Sequence, residues 1–291
     1  MEKQIEILNV PKRVLFTGEE IPAVGLGTFG SDKYSAEQVS EAVYGAIKYG
    51  YRLVDCAAVY QNEKQIGEVL KKVFQDKVVT REELFITSKV WNDRHREVEA
   101  ACSQSLEDLG LSTIDLYFVH WPFPNYHAPG CDGDSRNPDS KPFSVEEFMD
   151  TWRQCERLVD KGLVRYIGMS NMTVKKLEQV LPLCHIQPER DRTAEDIADI
   201  EMETIRKIAE VHNVHPAVIC LKWAVQRGMI PIPFSVKEPQ YIANLRCATE
   251  DPLTEEEMEK IRKSDRNCRL IKGQVFLWSG ASDWKALWDE E

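Results

Sequence analysis

Two spacings of apolar residues take turns along this chain. Short unbroken apolar runs predict buried strands, and stretches with apolar residues at helical spacing predict amphipathic helices. The amino-terminal part predicts two short strands around a turn, one over residues 5–8 and one running from Val14 through Thr17 and Gly18 to Ile21. After it the two patterns alternate. Strands are expected at residues 24–26, 52–55, 84–88, 114–119 and 164–169, with helices at 36–48, 63–74, 94–109, 145–160 and 174–181. Ser35 suits the N-cap of the first of these helices and Gly50 its end. Further helices are expected over residues 197–212 and 255–262, the latter highly charged, with a strand over 230–233 between them. The connection over residues 122–142 is long and irregular, a length commonly associated with function or mobility. Alternating β and α units imply an α/β fold with a parallel sheet, either open and doubly wound or closed into a barrel. No stretch reads as a linker, so residues 1–291 are expected to form a single domain.

Composition narrows the function classes. Hydrophobic residues make up 43% of the chain, enough for a substantial core. A net charge of −11 and a pI near 5.2 argue against nucleic acid or an anionic membrane as a main partner. No apolar run approaches the ~20 residues that span a bilayer, and Met1 to Gln4 lacks the layout of a secretory signal. The eight cysteines have no paired spacing. Reduced thiols and a cytoplasmic location are therefore expected.

Gly25, Gly27 and Gly30 spell the dinucleotide-binding pattern G-x-G-x-x-G, between a strand and a helix, with Asp55 ending the next strand. Against a Rossmann-type dehydrogenase, the helix starts near Ser35, too late for these glycines to open it onto a pyrophosphate. Pro22 also precedes a strand too short for the centre of a doubly wound sheet. The glycines are read instead as a close approach of backbone to a ligand.

Ionisable residues at strand ends are more informative. Successive apolar runs stop on Asp55, Lys89 and His120, and the next stops on Ser170 and Asn171. Singly, such an Asp is usually a turn former, such a Lys solvated, and a His beside Trp121 structural. At equivalent positions on parallel strands they converge on the carboxyl-terminal face, where barrels carry their chemistry. Tyr60 supplies an acid. A phenol is weakly acidic at neutral pH, but a neighbouring ammonium favours the phenolate, and a carboxylate can hold that ammonium. Asp55, Lys89 and Tyr60 suit such a relay, with His120 orienting a carbonyl by hydrogen bonding. The implied reaction is carbonyl reduction by hydride from a nicotinamide cofactor.

The blocks Val24 to Phe29, Asp55 to Tyr60 with Asn62 and Glu63, Phe85 to Lys89, Val119 to Pro122 and Ile167 to Asn171 resemble, in order, those of the aldo-keto reductase family. The resemblance covers roughly residues 5–188 and resumes near residue 196. It implies a (β/α)8 TIM-type barrel with an amino-terminal β-hairpin, and catalysis by Asp55, Tyr60, Lys89 and His120. It implies cofactor contacts at Gly27, Thr28, Asp55, Ser170, Asn171, Ser235, Val236, Gln240 and Asn244, with NADPH or NADH as cofactor and a small carbonyl compound as substrate. Trp91, Trp121 and Phe123 are candidates for an apolar substrate pocket, with an ordinary core role an equal reading for Trp91. The family's tail folds over its pocket, which adds Phe276 and Trp278. Trp284 and Trp288 stand i, i+4 and suit the docking of a last helix. A monomer or weak homo-oligomer is expected.

Two departures from the family pattern stand out. After residue 188 the chain passes directly to Glu189 and a charged stretch, so about forty residues are missing, the size of a βα unit and a further strand. They would include the sixth and seventh barrel strands, the aromatic that stacks on the nicotinamide and a glutamine for its carboxamide. The chain is then a genuine shortened and impaired form that binds cofactor or partners, or a complete enzyme with an internal stretch outside this sequence, or a barrel completed by another chain. The intact flanking blocks favour the second. At the cofactor's adenosine end, Phe234, Gln240 and Ala243 stand where NADPH-dependent relatives carry Lys, Arg and Glu. Lys237 and Arg246 are the candidates to compensate. No metal is expected. Residues 132–137 have a trace of a calcium loop but lack its glycine and closing glutamate, and His212 and His215 lack a third ligand.

Overall fold

In the computed structural model the chain is described over residues 10–15, 17–30, 33–127, 136–186, 189–190, 200–264 and 272–289. The strand expected at residues 5–8, the start of the helix expected at 197 and most of the acidic turn at 132–137 lie outside the described residues. Two compact units contain the rest. The first comprises residues 1–56, 60–86 and 194–270, and the second residues 57–59, 87–193 and 271–291.

In the first unit, β1 (Lys12–Val14) and β2 (Glu20–Pro22) form an antiparallel hairpin whose turn passes through Gly18 at φ 87°. The chain then enters β3 (Leu26–Gly27), shorter than the sequence suggests, which pairs in parallel with β4 (Leu53–Asp55). Between them runs α1 (Ala36–Tyr49). Ser35 and Gln38 form a reciprocal capping box at its start and Gly50, at φ 115°, ends it. Its Val39, Val43, Ala46 and Ile47 recur at helical spacing and are buried. After β4 comes α2 (Glu63–Gln75), which buries Ile66, Leu70 and Val73. The expected strand at residues 230–233 has no regular ladder, because Pro231 and Pro233 cannot donate to one. Their carbonyls still accept from the N–H groups of Gly25 (3.0 Å) and Gly27 (3.1 Å), so this segment lies beside β3.

That neighbourhood explains the glycines. A Cβ on Gly25 would stand 2.7 Å from the Leu53 side chain, and one on Gly27 would stand 3.0 Å from the Ile232 carbonyl. At these two glycines the close approach is to the protein's own neighbouring segments. Gly27 ends β3 and Gly25 precedes it, while α1 starts only at Ala36, so the glycines do not open a helix as a phosphate loop does.

In the second unit, β5 (Phe85–Val90), β6 (Ile114–Val119) and β7 (Val164–Met169) pair in parallel, with Val90 opposite Val119 and Val119 opposite Met169. Every residue of β5 and β6 is buried, as expected of parallel strands covered on both faces. Helices α3 (Val98–Leu109) and α4 (Val145–Asp160) follow β5 and β6. α3 starts later than expected, because a 3-10 turn at Asn92–Arg94 takes up the first residues. α5 (Val174–Val180) follows β7. Beyond it, where no strand is expected, the backbone of β8 (Glu189–Arg190) pairs with the last two residues of β7. The remaining helices belong to the first unit: α6 (Glu203–Val211), α7 (Pro216–Gln226), α8 (Glu238–Arg246) and α9 (Glu255–Lys263). The expected tail helix is a 3-10 turn at Trp284–Trp288. None of the described helices is long and apolar enough to cross a membrane.

Six cysteines fall among the described residues and none of them is in a disulfide; Cys131 and Cys268 lie outside. His212, weighed above as a metal ligand, lies between the carboxylates of Asp251 (2.5 Å) and Glu257 (3.1 Å). His215 caps α7 by accepting from the N–H of Ala217.

His95, buried after the 3-10 turn, accepts from Thr151 and Gln154 through its backbone carbonyl. Burial lowers its imidazole to about 4, from an ordinary 6.5. The unfolded chain therefore takes up a proton near pH 6.5 that the folded chain refuses. Stability from this group is complete above pH 6.5 and declines as pH falls towards 4, by a total of about 3 kcal/mol. Urea unfolding across that range should show the decline, and His95→Leu should flatten it. An unchanged slope in the variant counts against the assignment. Gly25→Ala should cost about 1–3 kcal/mol in the same assay at pH 7, since Leu53 has no free space to yield. Wild-type stability in that variant would contradict the packing account.

Candidate active site

In the first unit, the ends of β3 and β4 are tied by side chains as well as by the ladder. Gly27 pairs with Asp55. The next residue, Thr28, is fully buried and donates its hydroxyl to the Asp55 carbonyl at 2.8 Å. Asn62, buried before α2, donates its amide to the Thr28 carbonyl at 2.8 Å. These bonds fix the backbone at Asp55, whose carboxylate is itself buried. Tyr60 ends a short 3-10 turn (Ala58–Tyr60) and is half-buried, its ring 5.1 Å from that of exposed Phe29. Asn62 is a positioning residue that the spacing argument missed, although it stands in a quoted block.

In the second unit, Lys89 lies one residue before the end of β5 and is 7% exposed. His120 follows β6 directly and donates its backbone N–H to Val90. Ser170 follows β7 and donates its backbone N–H to Val119 (3.0 Å). Lys89, His120 and Ser170 thus stand at the carboxyl ends of consecutive parallel strands in near register. Asn171, in the left-handed region at φ 57°, donates its amide to the His120 carbonyl at 2.8 Å. Trp91 meets the His120 ring edge-on at 4.9 Å. Burial holds the His120 imidazole well below its ordinary range, and Lys89 and then His95 push in the same direction. The ring is neutral at physiological pH.

The aromatic candidates separate into two groups. Trp121, Phe123 and Phe276 are buried together, with Phe276 4.4 Å from Trp121 and 5.9 Å from Trp91. Half-buried Trp91 therefore joins His120 to this cluster. His127, absent from the candidates, lies 5.1 Å from Phe276 and 5.9 Å from Trp91. Trp278 packs on the rim and lines a different space, a cavity of about 750 Å³ with Arg136, Lys272, Gln274 and Trp284.

At the expected adenosine end, in the first unit, buried Ser235 accepts from the Lys237 N–H (3.0 Å) and donates to exposed Gln240 (2.7 Å). Asn244 is buried on α8, Val236 is half-buried, and Phe234 meets Tyr34 with tilted rings 5.7 Å apart. Lys237 is exposed before the start of α8, while Arg246 ends that helix and pairs with Glu250 at 3.7 Å. The two stand at opposite ends of α8, roughly 13 Å apart along the backbone axis. The Ser235 hydroxyl, the Gln240 amide and Lys237 are groups of the kind that hold a nicotinamide dinucleotide.

The model of the Aldo/keto reductase family matches residues 23–198 and 187–266. An aldo/keto reductase of Synechocystis sp. is 36% identical, covering 95% of each chain. That alignment runs over 318 positions, more than the 291 residues present here, so the relative carries residues that this chain lacks. Aldo-keto reductase family 1 member A1 of Gallus gallus is 35% identical over 88% of this chain and 89% of its own length. Among solved structures, the Bombyx mori aldo-keto reductase in complex with NADP aligns with a TM-score of 0.75 at 29% identity, over 89% of this chain and 94% of its own. The aldose reductase of Schistosoma japonicum aligns at 0.79 and 30%, over 94% and 98%. With its parallel α/β architecture of the (β/α)8-barrel type, this chain belongs to the aldo/keto reductase family.

Proposed function

We propose that this chain reduces aldehydes or ketones to alcohols with NADPH or NADH, using Tyr60 as general acid. The condition of His120 carries the reading. It is a half-buried, neutral imidazole, held through its backbone by Asn171 and braced by Trp91. A neutral ring donates one N–H to a carbonyl oxygen and polarises it without competing as an acid.

When bound, the reduced nicotinamide supplies hydride to the carbonyl carbon. Tyr60 delivers its phenolic proton to the oxygen as the C–O double bond becomes single. The buried Lys89 ammonium favours the phenolate left behind, and Asp55 holds that ammonium in place. Solvent returns the proton to Tyr60, so each carbonyl takes up one hydride and one proton. Gly27, Thr28, Ser170 and Asn171 serve the nicotinamide end, and Ser235, Val236, Gln240 and Asn244 the adenosine end. Trp91, Trp121, Phe123 and Phe276 favour an apolar substrate, whereas Trp278, expected beside them, faces the separate cavity. A cytoplasmic location belongs to the same proposal.

A second reading is favoured by one observation, the relative's longer alignment. A chain shortened after residue 188 would bind cofactor without efficient turnover. Quenching of NADPH fluorescence, assayed beside turnover of 4-nitrobenzaldehyde, separates the two, and binding alone supports the second. An intact mass above 33.5 kDa for the native protein would instead indicate additional residues and favour the first. In the first reading Tyr60→Phe should lower kcat by about 10²–10⁴-fold while NADPH still binds. Undiminished reduction by that variant would refute the role of Tyr60.

A further inference from the structure

The carboxyl-terminal segment of the second unit, residues 272–289, carries Phe276 and ends on a buried polar anchor. Lys176, on the first turn of α5, is 3% exposed. A lysine this buried requires partners, because an unpaired ammonium away from water is costly. Its Nζ donates to the Leu287 carbonyl at 2.8 Å and to the Asp289 carboxylate at 2.6 Å. The same Asp289 oxygen accepts from the hydroxyl of Thr173, the N-cap of α5. Asp289 holds a left-handed backbone at φ 56°, a conformation kept only where its surroundings fix it. The adjacent Trp288 packs 5.7 Å from Trp121 and donates its indole N–H to the Lys272 carbonyl at 2.9 Å. The segment is thus closed on itself at its base.

A second anchor lies nearer the candidate pocket. Asn125 is 3% exposed in the long connection after β6. Its amide donates to the carbonyls of Phe276 and Lys141, both at 2.8 Å, and its side-chain oxygen accepts from the Lys141 N–H at 2.9 Å. Buried Asn92 in turn donates to the Asn125 carbonyl at 2.6 Å. One asparagine therefore joins the turn after β5, the connection after β6 and the tail. Phe276, held by it, meets Trp91, which meets His120.

We propose that Asn125 and Lys176 are positioning residues for recognition of aromatic substrates, holding the tail so that Phe276 stays against Trp91. Neither touches the reacting carbonyl. The proposal rests on the reading that His120 faces a carbonyl substrate, but its test needs no turnover.

Binding of 4-nitrobenzaldehyde is measured by quenching of tryptophan fluorescence, and kcat separately with NADPH. Lys176→Met and Asn125→Ala should each weaken that binding about tenfold. Lys176→Arg should restore most of it, and NADPH affinity should stay within about twofold of wild type in all three. A shift of tryptophan emission to the red in Lys176→Met would report release of Trp288. A purely structural role would lower stability and weaken both ligands together, which would overturn the proposal, as would unchanged affinity for the aldehyde or no binding by the wild type. If the wild type binds the aldehyde selectively without reducing it, the proposed function fails and the positioning role stands.

Discussion

A parallel strand covered on both faces leaves room for an ionisable group at its carboxyl end and almost nowhere else. This constraint organises the molecule. Within β6 the only charged residue, Asp115, is buried and paired with Arg165 of β7 at 3.1 Å. The other polar groups that matter are at the ends, at Lys89, His120 and Ser170 in one unit and at Asp55 in the other. The strands then act as rulers. Their register decides which ends are level, and short side-chain bonds such as Thr28 to Asp55 hold the ends still.

Once the strand ends are set, loops decide what can reach them. Asparagines do most of this work in the second unit. Asn92 and Asn125 are buried and spend their amides on backbone carbonyls, and half-buried Asn171 does the same. Loop backbone has few internal partners, and a short amide side chain can satisfy carbonyls from two segments at once. The price is that each such residue must be well placed, because an orphaned buried amide destabilises the loop it serves. The aromatic cluster then fills the space that this polar frame leaves, with Trp91 as its member nearest to His120.

The edge beyond β7 has only a short partner among the described residues. A strand needs a partner along its length, yet β8 covers only Gly168 and Met169. Those are the residues next to Ser170 and Asn171, so the ladder is kept where the candidate site needs support. The Synechocystis relative carries residues that have no counterpart in this chain, as 318 aligned positions against 291 residues record.

Much of this was legible in the sequence, because periodicity and end signals are local. The helix at Ala36–Tyr49 has its capping pair and its closing glycine in plain view, and the strands stop on ionisable residues whatever they pack against. The sequence alone therefore determined the alternation from β3 to α5, the parallel α/β class and the four residues expected to carry the chemistry. Only the tertiary structure decided the rest. It showed what Gly25 and Gly27 lie against, the Leu53 side chain and the Ile232 carbonyl, since a glycine's reason is whatever its missing Cβ would strike. It placed Lys237 and Arg246 at opposite ends of one helix. It brought Asn125 to Phe276 and Lys176 to Asp289, pairs more than a hundred residues apart. No spacing rule marks such residues, because a single hydrogen bond between distant segments leaves no period in the chain.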